Sequence, residues 1–169
     1  SNLRMYTHLH GPSNNAGDKE RLRENLRLFV RMGAGETGDY YEYVQPLKPG
    51  DVPTPGGAQD LWPEEYEMNL VLERLNRLKL LRDQRGAPAD DPFSSNNVNL
   101  SLDFAPPDTE LRVRGTPSLK NISSIVVGLR HAGTTQEVLR DFEVWVNELR
   151  VSGFDEENGW AANANASID

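Results

Sequence analysis

Three histidines, two acidic clusters and a handful of aromatic rings are the side chains in this sequence that could do chemistry. His8 and His10 are two residues apart, so on an extended strand their rings leave the same face. A carboxylate joining them would complete a metal site, although such pairs are more often solvated or hydrogen-bonded. His131 stands beside Ala132-Gly133 and reads as a turn residue. Asp90-Asp91 and Asp155-Glu156-Glu157-Asn158 are oxygen-rich stretches of the kind that hold structural calcium in β-sandwiches. Neither has the Asp-x-Asp-x-Asp-Gly spacing, and a solvated turn is the simpler reading. Glu64, Glu65 and Glu67 sit together with nothing adjacent to tune one of them for acid–base work. There is no Gly-x-Ser-x-Gly elbow, no phosphate-cradling glycine loop and no His-Glu-x-x-His. Cys is absent, which excludes disulfides, thiolate metal sites and Cys nucleophiles. The expectation is a protein that is not an enzyme, with no catalytic residue, no metal centre and no cofactor, structural calcium aside.

The aromatic residues are the better lead for binding. Tyr41 and Tyr43 share one face of a strand and Tyr40 takes the other, so at least one ring is expected near solvent. Trp62, in Leu61-Trp62-Pro63-Glu64, lies in or beside a loop. Flat rings beside carboxylates can stack on sugars, which makes Tyr41, Tyr43 and Trp62 the candidate binding residues of a carbohydrate-binding module. Buried packing is the commoner fate of such rings. A hydrolase would need a cleft with convergent carboxylates, and nothing in the spacing supplies one.

The elements that must position these residues are mostly strands. Leu3, Met5 and Leu9 fall on one side of Leu3–His10; Leu26, Leu28, Val30 and Met32 alternate with Arg27 and Arg31. Val98, Leu100, Leu102 and Phe104 alternate with Asn99, Ser101 and Asp103, and Leu111 and Val113 with Arg112 and Arg114. A period of two predicts half-buried strands, and further strands are expected at Tyr40–Val44, Met68–Leu72, Ile122–Arg130 and Phe142–Val151. In the last of these Val144 and Val146 face one way, and Trp145, Asn147, Leu149 and Val151 the other. Glu73–Arg85 breaks the pattern: Leu72, Leu75 and Leu78 have helical spacing before Gly86, predicting one short helix. Turn residues separate the strands, from Gly11-Pro12-Ser13-Asn14-Asn15 onward. Eight short strands with one helix predict an all-β fold, an antiparallel β-sandwich of jelly-roll or galactose-binding-like form, over residues 1–158.

The chain has 169 residues, 18 Lys+Arg against 26 Asp+Glu, and a net charge of −8. That balance argues against nucleic acid and against anionic lipid as partners, since both need a basic footprint. No apolar run is long enough for a transmembrane helix. Residues 159–169 are different in kind: after Gly159, Trp160 leads Ala162, Ala164, Ala166 and Ile168 on one side against Asn163, Asn165, Ser167 and Asp169 on the other. Small apolar and polar residues in alternation behind an aromatic match one strand of a membrane β-barrel; a frayed polar tail is the alternative.

Several strings resemble the SprA/Sov family. They are Glu143-Val144-Trp145-Val146-Asn147-Glu148-Leu149-Arg150-Val151-Ser152-Gly153-Phe154-Asp155 with Gly159-Trp160-Ala161-Ala162; Gly115-Thr116-Pro117-Ser118-Leu119; Val127-Gly128-Leu129-Arg130; Tyr40-Tyr41-Glu42-Tyr43; and Leu61-Trp62-Pro63-Glu64. Trp145, Asn147, Glu148, Leu149 and Arg150 carry the most specific part, while Thr116 and His131 stand where relatives are expected to have Asn. Members of that family are giant outer-membrane β-barrels of Bacteroidetes, the translocon of the type IX secretion system, needed for gliding motility in species that glide. The resemblance implies a non-catalytic soluble segment between barrel strands, at the outer membrane and cell surface. Large inserts of such barrels usually lie outside the cell because periplasmic turns are short, with a periplasmic position the alternative. Its partners would be other segments of the same barrel, secretion-system subunits and exported protein cargo. Trp160–Asp169 would begin the next membrane strand. The alternative function is a carbohydrate-binding module of a surface protein, with a glycan as its ligand.

Overall fold

The computed structural model describes residues 1–33, 38–56, 61–98, 108–132 and 139–153. The expected strand beyond Val98, the acidic run Asp155–Asn158 and the alternating stretch from Trp160 lie outside the described residues.

Among the described residues, the alternating stretches are extended. The strands are β1 (Asn2–His10), β2 (Leu26–Gly33), β3 (Tyr40–Pro46), β4 (Glu67–Val71), β5 (Phe93–Ser94), β6 (Glu110–Arg114), β7 (Ser124–His131) and β8 (Glu143–Ser152). They form two antiparallel sheets, one in the order β4-β1-β8 and one in the order β5-β6-β3-β2-β7. Leu3, Met5, Leu9, Met68 and Leu70 of the first share a single buried cluster with Leu28, Val30, Met32, Leu111 and Val113 of the second. The fold is therefore all-β and sandwich-like, with the period-two residues meeting between the sheets.

Helix α2 (Glu73–Gln84) follows β4 as predicted, burying Leu75, Leu78 and Arg82, and Gly86 ends it with φ of 63°. It packs on β6, so its leucines join the same core. The expectation of one helix is corrected: a second, α1 (Ala16–Asn25), links β1 to β2. Its sequence, AGDKERLREN, has no apolar stripe, and Leu22 is its one buried aliphatic side chain. The signal lies at the cap. Asn15 Oδ1 accepts from the Asp18 N–H at 2.8 Å, and Asp18 places a negative charge in the first turn.

A second correction concerns β8. It pairs with β1 from Asn2↔Ser152 to His10↔Glu143, but the register slips between Arg4↔Arg150 and Tyr6↔Asn147. Glu148 has φ of 55°, the left-handed region, and the extra residue forms a bulge opposite Met5. A one-residue slip exchanges faces. Val151 consequently lies opposite core-facing Leu3, on the same side as Val144 and Val146, instead of with Trp145 and Asn147 as strict alternation predicts.

Candidate functional site

The outer face of the three-stranded sheet gathers several of the singled-out residues. Strand β1 presents Arg4, Tyr6, His8 and His10 there, and the paired positions on β8 are Arg150, Asn147, Trp145 and Glu143. The His8 ring lies 5.5 Å from Trp145, 5.4 Å from His10, 6.2 Å from Tyr66 and 6.4 Å from Trp62, centroid to centroid. Trp145 donates from Nε1 to Glu143 Oε2 at 3.1 Å and meets His10 edge-on. Both imidazoles are buried, and neither ring nitrogen of His8 has a hydrogen-bond partner within normal geometry. Burial first, then the neighbouring His10, hold the His8 pKa below its ordinary value, with the backbone at Leu61 and Asp51 opposing in part. Further along, Arg150 pairs with Glu67 at 2.7 Å and with Glu148, and lies 5.5 Å above the Tyr6 ring. His8 and His10 do share a face, as their spacing predicts. The nearby carboxylate, Glu143, is 4.0 Å from His10 Nε2. Among the described residues no three His, Asp or Glu side chains converge to hold a metal ion.

The Gly-Thr-Pro string forms a knot between β6, β3 and α2. Gly115 has φ of 69°, and an added Cβ would lie 1.9 Å from Asp39 Oδ1. Asp39 accepts from both the N–H and the hydroxyl of Thr116, which hold its carboxyl below the usual range. Fully buried Arg82 donates to the Gly115 carbonyl at 2.6 Å. The Pro117 carbonyl accepts from Lys79 Nζ and from the Tyr41 hydroxyl, which also meets Asn76.

Tyr41 and Tyr43 are correspondingly 1% and 3% exposed, and burial pushes the Tyr43 hydroxyl up to about 12. Tyr40 is buried too, beneath Arg31, whose guanidinium carbon is 4.2 Å from the ring centre. The expected solvent-facing ring on this strand is therefore corrected: β3 is the middle strand of five, covered on both faces, and Tyr41 and Tyr43 offer no platform to a sugar. Trp62, in a bend before β4, is half-buried beside His8 of the other sheet.

One cluster carries no motif in the sequence. Glu42, 0% exposed on the outer face of the five-stranded sheet, is held by Arg31 at 2.7 Å, Arg130 at 3.0 Å and Arg112 at 3.3 Å. Phe29 lies between Arg31 and Arg130, at 5.6 and 5.3 Å, over Gly128, where a Cβ would be 2.5 Å from its ring. Arg112 also binds Glu110 at 2.7 Å; burial alone would raise the Glu110 pKa, but Arg112 and Ser94 bind its carboxylate and hold it low. The available signal was positional: Arg31, Glu42, Arg112 and Arg130 occupy the polar positions of alternating strands. Which strands are neighbours is not written in that alternation.

Comparison with known proteins adds two findings. A family model described as SprA_N, motility related/secretion protein, matches residues 1–169. No curated protein matches the chain.

Proposed function

The chain belongs to this family of motility-related and secretion proteins, and from that premise we propose that it is a non-catalytic, structural segment of an outer-membrane protein-export translocon of the type IX kind. The observation that supports a structural role is how the Trp145–Arg150 residues are used. Trp145 is tied to Glu143 and packed against two histidines, tilted over His8 and edge-on to His10, Glu148 makes the bulge, and Arg150 bridges Glu148 and Glu67. Side chains committed to one another in this way brace a sheet rather than wait for a substrate. On this reading the sandwich is a rigid body at the cell surface that shapes the mouth of the export path or docks subunits and cargo beside it. No helix among the described residues is long and apolar enough to cross the membrane. Attachment would come through barrel strands of the parent protein.

The test is deletion of residues equivalent to 22–158 from the full-length protein, with barrel assembly checked by heat-modifiable mobility. Loss of cargo export, and of gliding where the species glides, is expected. Normal export through an assembled barrel would remove the proposal.

A further inference from the structure

We propose that the outer edge of β7 receives an extended polypeptide strand from a partner, one that alternates apolar with acidic side chains. This rests on the sheet itself and is independent of the export reading. Among the described residues β7 pairs with β2 alone, in unbroken register from Leu26↔His131 to Gly33↔Ser124. Within the described residues its other edge therefore presents a row of backbone donors and acceptors, which proteins either blunt or complete. The last strand of the other sheet, β8, is blunted: it has the Glu148 bulge and the charges of Glu148 and Arg150 on it. Strand β7 has no bulge, no proline and no charge from Ser124 to Leu129.

Side chains on the two faces define the strand that fits. On the core face Ile125 lies opposite Met32 and Leu129 opposite Leu28, yet they are 41% and 42% exposed, because nothing described flanks them on the far side. An added strand with apolar residues at alternate positions would finish covering them. On the outer face, Arg27, Arg31, Arg112 and Arg130 outnumber Glu42 and Glu110, and Arg130 Nη1 is buried without a partner. The Phe29 ring fills the space over Gly128 with Arg31 and Arg130 on its two sides, so the guanidinium groups lie along the outer face beside β7, Arg130 on β7 itself. Carboxylates suit that field. A second copy of β7 does not, because it would bring one arginine-rich face against another.

The probe is a synthetic peptide of about nine residues alternating Val with Glu, long enough to span one strand. It is compared with a Val/Lys peptide and with a Val/Glu peptide N-methylated on alternate amides. Hydrogen exchange on the 169-residue chain should show the outward-facing β7 amides exchanging quickly alone and slowly with the Val/Glu peptide. Affinity measured by anisotropy should fall about tenfold for the Val/Lys peptide and be lost for the N-methylated one. Leu129→Lys should abolish binding, whereas Leu80→Lys, on exposed α2 surface, should leave it unchanged; both are checked by thermal melting. Equal binding of the Val/Glu and Val/Lys peptides would overturn the proposal. So would protection of the outward β7 amides in dilute peptide-free chain, or protection that appears only with self-association.

Discussion

Glu42 has no exposed surface, yet it carries a charge among three guanidinium groups, and the three arginines depend on it more than it depends on any one of them. Taking away a buried counter-charge leaves its partners uncompensated, which typically costs about 3–5 kcal/mol. Because these arginines are partly solvated, Glu42→Gln should lower the unfolding free energy by about 2–3 kcal/mol in urea titration; a loss under about 0.5 kcal/mol would mean the cluster is decoration. His8 makes a different prediction. Its folded pKa lies below the ordinary histidine value of about 6.5, so the unfolded chain takes up the proton first. Stability is then full above about pH 6.5 and falls as pH drops through that value. The groups facing the ring are His10 on β1, Trp145 on β8, Tyr66 and Trp62 before β4, and Asp51, with Glu143 behind them on His10 and Trp145. The melting temperature should decline between about pH 7.5 and pH 5.5, and His8→Phe, which keeps a ring in the aromatic box, should flatten that decline. The carboxyls held low, Asp39 and Glu110, act in a separate and more acidic window, losing their contribution only as pH falls below their ordinary values. An unchanged slope in the Phe variant would assign the decline elsewhere.

Between residues and fold stand the elements, and here the sequence was legible in part. The expected strands match β1, β2, β3, β4, β6, β7 and β8, and leucine spacing located α2; the alternation is clearest in β1, β2 and β6, whose two faces differ in burial. Helix α1 escaped because a helix with one buried leucine is held by its Asn15 cap and its charged pairs rather than by an apolar stripe. The β8 bulge escaped for a related reason. A left-handed Glu148 has no sequence signature, since Gly or Asn would be the usual choice there. That choice can be tested. Glu148→Gly should relieve the backbone and stabilise the chain by about 0.5–1 kcal/mol, offset by the lost Arg150 contact. Glu148→Val should destabilise it, both read from denaturation midpoints. If Val is tolerated as well as Gly, the left-handed residue is not a constraint.

At the scale of the molecule, what alternation could not supply was strand order. It correctly put Tyr41 and Tyr43 on one face of a strand. Whether that strand would be an edge with a ring in water, or the middle of five, depended on partners more than sixty residues away at β6. The same ignorance hid the Glu42 cluster, whose arginines come from β2, β6 and β7. Family-like strings, by contrast, mapped onto joints: Gly115-Thr116-Pro117 onto the knot of β3, β6 and α2, and Trp145–Arg150 onto the seam between β1 and β8.

That seam has a mechanical meaning. Asn2 is paired with Ser152, so β1 and β8 run antiparallel away from a common point. Tension applied between those two residues would load their hydrogen bonds in succession, like a zipper drawn from its open end, instead of all together as in shear. The β1–β8 ladder should thus part at low force in single-molecule pulling from positions 2 and 152, and the bulge opposite Met5 should appear as a pause or step partway along. A single high-force rupture would contradict this geometry. A sandwich joined this way yields to a pull between residues 2 and 152, where the ladder opens one pair at a time.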